Sequence, residues 1–219
     1  MTTSSLFTML MLGLFVAGTL ASFTFMRLPS LLRSYAFSSV ALGGLALALA
    51  YGKRALHLIP VAVAVVAIKA LLVPFVIRRM SERSGASLRL SSSLRPSASW
   101  FIGGLVFAFG MYLAVRSPLL TGGSGQMADL LPISVGVILV GMVMMIVRRD
   151  LLSQMIGFLV LENGIAAFSL SALGGIPVAI EFGVYSAVLI GAILMATLSH
   201  RVQELFGTHD TSHLSELTD

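Results

Sequence analysis

The stretch that decides the fold runs Arg148-Arg149-Asp150-Leu151-Leu152-Ser153-Gln154-Met155-Ile156-Gly157-Phe158-Leu159-Val160-Leu161-Glu162-Asn163-Gly164. A charged turn leads straight into an apolar helix, and twelve residues after Asp150 that helix carries a carboxylate, Glu162. At about 1.5 Å per residue, Glu162 lies roughly 18 Å along the axis. That is close to the middle of a hydrocarbon core about 30 Å thick. A charge at that depth costs between about 2.5 and well over ~10 kcal/mol. Such residues therefore face a partner or a water-filled cavity, and they mark ion or proton paths.

The rest of the chain supplies the housing for such a helix. It has 219 residues, 57% of them apolar and 11% charged, with a mean hydropathy of +0.99. A water-soluble domain of this size needs more polar surface than that. The absence of cysteine excludes a disulfide framework, a thiolate metal site, an iron–sulfur cluster and a Cys nucleophile within the chain. The net charge of +5 is no sign of nucleic-acid binding, because most basic residues fall at helix ends, where they set membrane orientation. Met1-Thr2-Thr3-Ser4-Ser5 lacks the basic start of a cleaved signal peptide, so the first apolar run is expected to remain as a span.

The expected fold is all-α: a polytopic membrane protein of about seven transmembrane helices, at Leu6–Met26, Ser34–Tyr51, His57–Ile77, Ser99–Val115, Leu130–Val147, Leu151–Ala172 and Pro177–Ser199. Arg27, Arg33, Arg78, Arg79, Arg83, Arg89, Arg95, Arg148, Arg149 and Arg201 fall on one side of this topology, against Lys53, Arg54 and Arg116 on the other. The positive-inside rule then puts the N-terminus outside and the C-terminus in the cytoplasm. Residues 78–98 form a basic, serine-rich cytoplasmic loop that reads as a solvated topology determinant, with anionic lipid or a neighbouring subunit as its other possible contacts. Gly122-Gly123-Ser124-Gly125 lacks the Lys-Ser/Thr of a phosphate loop and reads as a turn. The chain divides into helices one to four (1–127), a three-helix unit (128–202) and a polar tail (203–219).

A second charge interrupts the third span. Lys69, in Val65-Val66-Ala67-Ile68-Lys69-Ala70-Leu71-Leu72-Val73-Pro74, is roughly 12 Å from the cytoplasmic end of that span, too deep for easy snorkelling. Pro74 lacks an N–H and clashes with the carbonyl of Ala70, so a kink is expected beside Lys69. Burial disfavours the charged form of any ionisable group, which is how membrane acids and bases come to exchange protons near neutral pH. Lys69 and Glu162 are therefore candidates for a proton or ion path, or else structural charges paired with each other or with a neighbouring subunit. Glu181 lies near the outer interface, where a carboxylate can reach water. Gln154 and Asn163 flank Glu162 and can bond to water or across helices. Gly157, Gly164, Gly174, Gly183 and Gly191 suit close helix contact. His57, His200, His209 and His213 form no ligand cluster, and no nucleophile–base pair or dinucleotide motif is present. No catalytic centre or metal site is expected in this chain.

At these residues a family resemblance is visible. Arg148–Asn163, Glu181–Met195 and the tail His209-Asp210-Thr211-Ser212-His213-Leu214-Ser215-Glu216-Leu217 resemble the three-helix K subunit of respiratory complex I and, similarly, the C subunit of multisubunit Na⁺/H⁺ antiporters. Ala67-Ile68-Lys69-Ala70-Leu71-Leu72-Val73-Pro74 combined with Leu161-Glu162-Asn163-Gly164 resembles, more narrowly, hydrogenase-4 component E, a relative of the K subunit lengthened by extra N-terminal spans and found in formate hydrogenlyase-type complexes. Two departures stand out. The first K-subunit carboxylate falls at Leu159, one turn before Glu162, and the second falls at Ala187, which holds no proton. The resemblance implies a non-catalytic membrane-arm subunit of a hydrogenase-type or complex I-like oxidoreductase. It would sit in a bacterial or archaeal cytoplasmic membrane, in a hetero-oligomer with antiporter-like subunits and a peripheral redox arm. Iron–sulfur clusters, with NiFe or flavin among the candidates, would be held by the partners. The alternatives are a subunit of a cation/proton antiporter and a structural adaptor whose buried charges only specify helix pairing.

Overall fold

The computed structural model describes residues 3–52, 56, 58–83, 95–117, 129–173, 191 and 193. Its elements are α1 (Thr3–Thr24), α2 (Leu28–Gly52), α3 (Leu58–Ala64), a π-helical segment (Val65–Leu72), α4 (Val73–Arg83), α5 (Pro96–Arg116), α6 (Leu130–Val147) and α7 (Leu151–Leu173). α3, the π segment and α4 follow one another without a break. Among the described residues there is no strand, and six helices are long and apolar enough to cross a membrane. The chain is an all-α, multi-pass membrane protein. The expected seventh span, Pro177–Ser199, lies outside the described residues apart from positions 191 and 193.

In a hydrocarbon solvent every backbone N–H and C=O must be satisfied inside its own segment, which is why each apolar run is helical. Hydroxyl residues obey the same constraint by bonding back along the helix. Thr19 donates to Phe15 O at 2.9 Å, Ser22 to Gly18 O at 2.8 Å and Ser34 to Ser30 O at 3.0 Å. This corrects one boundary. α2 starts at Leu28 rather than Ser34, because its serines satisfy themselves and do not break the helix, so Arg33 is helical and not in a connecting loop. The 78–98 loop is likewise shortened, since α4 continues to Arg83 and α5 begins at Pro96.

α2 is the central helix, packed against α1, α3, the π segment and α7, while α6 lies between α5 and α7. Phe15, Tyr35, Leu42, Leu45, Val137, Met144 and Ile156 are among the buried side chains that join these helices. Lipid is as apolar as leucine, so close packing has to hold the helices together. α6 and α7 show how. A Cβ on Gly141 would lie 2.5 Å from Leu161 N, and one on Gly164 would lie 2.8 Å from Ile138 N, so both crossings are open only to glycine. The approach at Gly157 is less tight, since a Cβ there would lie 3.1 Å from Met145 N. Gly174 and Gly183 lie outside the described residues, and a Cβ on Gly191 would meet nothing within 4 Å among them, so the contact expected there is not seen. Outward-facing Phe101, Leu105 and Phe109 on α5 and Ile146 on α6 give the bundle an apolar exterior.

Candidate functional site

Three helices bring polar groups to one level. Glu162 is the twelfth residue of α7, Ser39 the twelfth of α2, and Lys69 the twelfth of the Leu58–Arg79 span. At about 1.5 Å per residue each lies some 16 to 17 Å from the start of its helix, near mid-membrane. Lys69 Nζ is 2.5 Å from Glu162 Oε2, with the lysine side chain fully buried and the glutamate side chain 7% exposed. Lys69 also donates to Asn163 Oδ1 at 3.2 Å. The Asn163 amide, oriented by these bonds, donates to Ser39 Oγ at 2.9 Å and Ser38 Oγ at 3.4 Å, and Ser38 Oγ donates to Tyr35 O at 2.9 Å. Among the described residues, Lys69 is the sole partner of Glu162 Oε2.

The backbone around Lys69 is unusual. Val65–Leu72 is π-helical, with the Val73 N–H bonded to Ile68 O five residues back. The irregularity expected at Pro74 thus takes the form of a widened turn directly beneath the lysine. π turns are rare and are frequently found at functional sites. Gly43 of α2 admits this segment, since a Cβ there would meet Val66 Cγ2 at 2.6 Å and Ala62 O at 3.3 Å.

The other expected residues fall elsewhere. Gln154 lies two turns before Glu162 and donates through Nε2 to Arg148 O at 2.8 Å, so its amide closes the entry to α7. Glu181 and Ala187 lie outside the described residues. Leu159, the position of the first K-subunit carboxylate, is buried in the core. Among the described residues no group of three His, Asp or Glu could hold a metal ion.

These arrangements can be set beside known proteins. The chain is 30% identical over 195 residues to "Uncharacterized protein Rv0085" of Mycobacterium tuberculosis, covering 88% of this chain and 87% of that one. The chain belongs to the Rv0085 family. It is also 22% identical over 151 residues to hydrogenase-4 component E of Escherichia coli and of Shigella flexneri, covering 68% of each chain. The expected tie to component E therefore holds as a distant relationship. No family model matches the chain, and no solved structure matches it.

In this Rv0085-family chain the opening turn of α7 ties together the ends of two helices. Arg148 is 2% exposed, and its guanidinium donates to Phe23 O at 2.8 Å, Phe25 O at 2.7 Å and Ser22 O at 3.5 Å, with Met26 Sδ at 3.0 Å. It therefore caps the C-terminal end of α1, where unpaired carbonyls and the helix dipole favour a cation. Two residues on, Asp150 caps α7. Its Oδ1 accepts from Ser153 N at 2.8 Å and its Oδ2 from Ser153 Oγ at 2.5 Å. Burial pushes the Asp150 carboxyl above its ordinary value, opposed by the Ser153 hydrogen bonds and then by Arg148. Burial lowers the Arg148 pKa, opposed by Asp150. The Asp150-x-x-Ser153 spacing before an apolar run was a readable capping signal. The role of Arg148 was not readable, because its acceptors lie some 125 residues away.

Proposed function

We propose that this chain is a membrane-arm subunit of a hydrogenase-4-type or complex I-like oxidoreductase, in which the Lys69–Glu162 pair holds charge for proton or Na⁺ translocation driven by redox chemistry in other subunits. The observation that carries this reading is an ion pair closed at 2.5 Å at mid-membrane, on a π turn, with the lysine also bonded to Asn163, whose amide reaches two serines. A proton reaching Glu162, or leaving Lys69, cancels one member of the pair and frees the other. When Glu162 takes a proton, the ammonium so freed keeps Asn163 Oδ1 as a partner within the same packing. The distant similarity to component E supports the coarser setting, a multisubunit membrane complex, and to it the proposal adds antiporter-like subunits and a peripheral redox arm as partners.

The test is ion translocation by the complex that co-purifies with the tagged chain, whose composition mass spectrometry defines. Glu162→Gln should abolish translocation while the complex still assembles, and full translocation in that variant overturns the reading. The closed pair itself also supports a second reading, a structural adaptor whose charges only match helices. In that case Glu162→Gln and Lys69→Met lower the yield of complex and leave translocation per assembled complex unchanged.

A further inference from the structure

Away from the charge network, a cleft of about 240 Å³ opens between the start of α2 and α4, lined by Pro29, Leu32, Arg33, Ala36, Pro74, Phe75 and Arg78. Among the described residues its lining holds two arginines, no carboxylate and otherwise apolar side chains. Depth identifies the level at which it opens. Arg78 is nine residues beyond Lys69, or about 13 Å along the axis, and half a hydrocarbon core is about 15 Å. Arg33 is six residues before Ser39, about 9 Å from the same mid-membrane level, and an arginine stem extends several ångströms further toward the interface. Both guanidinium groups thus reach the layer where lipid phosphates lie. Toward mid-membrane, Phe75 and Leu71, 58% and 65% exposed, stand one turn apart along the outer face above Arg78. The cleft is smaller than the ~300–1,000 Å³ of pockets that enclose a whole ligand, so it suits a headgroup with its chains outside.

We propose that this cleft binds one anionic phospholipid. Arg33 and Arg78 hold the phosphodiester, and the acyl chains lie along Phe75 and Leu71. Arginine suits the role because its planar fork bonds phosphate oxygens in pairs. Basic pockets between transmembrane helices recognise anionic headgroups by the same chemistry. The site does not depend on any role for Lys69 or Glu162.

The experiment reconstitutes the full chain in bilayers of equal phosphatidylglycerol and phosphatidylcholine, re-extracts it in mild detergent, and counts co-purifying lipid by mass spectrometry. Each arginine is expected to contribute about fivefold to the preference, so phosphatidylglycerol should be enriched about 25-fold. Arg33→Gln or Arg78→Gln should each cut that about fivefold, and the double variant should retain the two lipids alike. Arg116→Gln, which removes the same charge at the opposite end of the bundle, should leave the ratio unchanged. Equal retention by the wild type, or loss of preference in Arg116→Gln matching that in Arg33→Gln, overturns the proposal. So does displacement of phosphatidylglycerol by added sn-glycerol 3-phosphate, which would make this a site for a soluble phosphate.

Discussion

Lys69→Met is the substitution that tests the buried pair most directly. At 2.5 Å the attraction between the two charges is about 7 kcal/mol for an effective dielectric of about 20. Desolvation of both groups offsets most of that, so the net worth of the pair is small. Removing one partner is different, because it strands a buried charge at a cost of about 3–5 kcal/mol. The two single variants should not cost the same. In Glu162→Gln the ammonium keeps Asn163 Oδ1 and gains an amide oxygen, whereas in Lys69→Met the carboxylate oxygen loses the one partner it has among the described residues. Lys69→Met should therefore be the more damaging by about 1–2 kcal/mol, the cost of an unsatisfied buried acceptor.

The double variant Lys69→Met/Glu162→Gln removes both charges and should return to within about 2 kcal/mol of wild type, as buried pairs replaced by neutral groups commonly do. The assay is reversible unfolding in mixed micelles of increasing denaturing-detergent fraction, followed by circular dichroism, on all four members of the cycle. Additive costs would refute the argument, because they would mean that the two charges are not coupled in the folded protein. A costlier Glu162→Gln would refute the asymmetry and show that the carboxylate has a second partner.

Other expectations follow from the helix ends and crossings. Burial holds the Asp150 carboxyl above its ordinary 3.8, so the folded chain binds more protons there than the unfolded one. Stability should fall as pH rises from 3.8 to the raised value and then level off, and Asp150→Asn, which keeps a capping oxygen, should remove that step from a pH series of unfolding midpoints. Arg148→Ala should cost about 3 kcal/mol through stranded carbonyls at the end of α1, and Arg148→Lys should recover part of that in the same unfolding assay, one ammonium replacing a fork that reaches several carbonyls. Gly141→Ala, whose Cβ would press on Leu161 N, should destabilise by about 1–3 kcal/mol, while Gly13→Ala, with nothing within 4 Å among the described residues, should be neutral or mildly stabilising.

Much of the fold was legible because membrane burial leaves long apolar runs, and the limits of α6 were read to the residue. The early start of α2 was not, since serine is a poor signal in either direction: it weakens helices in water and satisfies itself inside them in lipid. Lys69 and Glu162 stood out one by one, because a charge in an apolar run needs a reason. Their contact did not, because they are 93 positions apart and nothing local encodes the pairing of distant helices. The contacts of Arg148 with α1 were hidden for the opposite reason. In sequence it is one more arginine at a helix end, where cations usually meet water or lipid headgroups, and only the third dimension shows that its guanidinium is spent on α1.

The π turn explains how Lys69 comes to face α7. Leu58, Ala62, Val65, Lys69, Val73 and Ile77 are all buried, at spacings of four, three, four, four and four. Over those nineteen residues an unbroken α-helix turns about 100° past five full turns, enough to carry the last buried side chains off the packed face. A wider turn between Val65 and Leu72 absorbs that drift, so α3 before it and α4 after it can bury the same face. Lys69 sits inside the correction. Its direction therefore depends on where the extra residue is accommodated, and a shift of the π turn by a few residues would swing the ammonium away from Glu162 while α3 and α4 stayed packed. The same feature that fits the span to its neighbours also makes the contact with Glu162 separable from the fold.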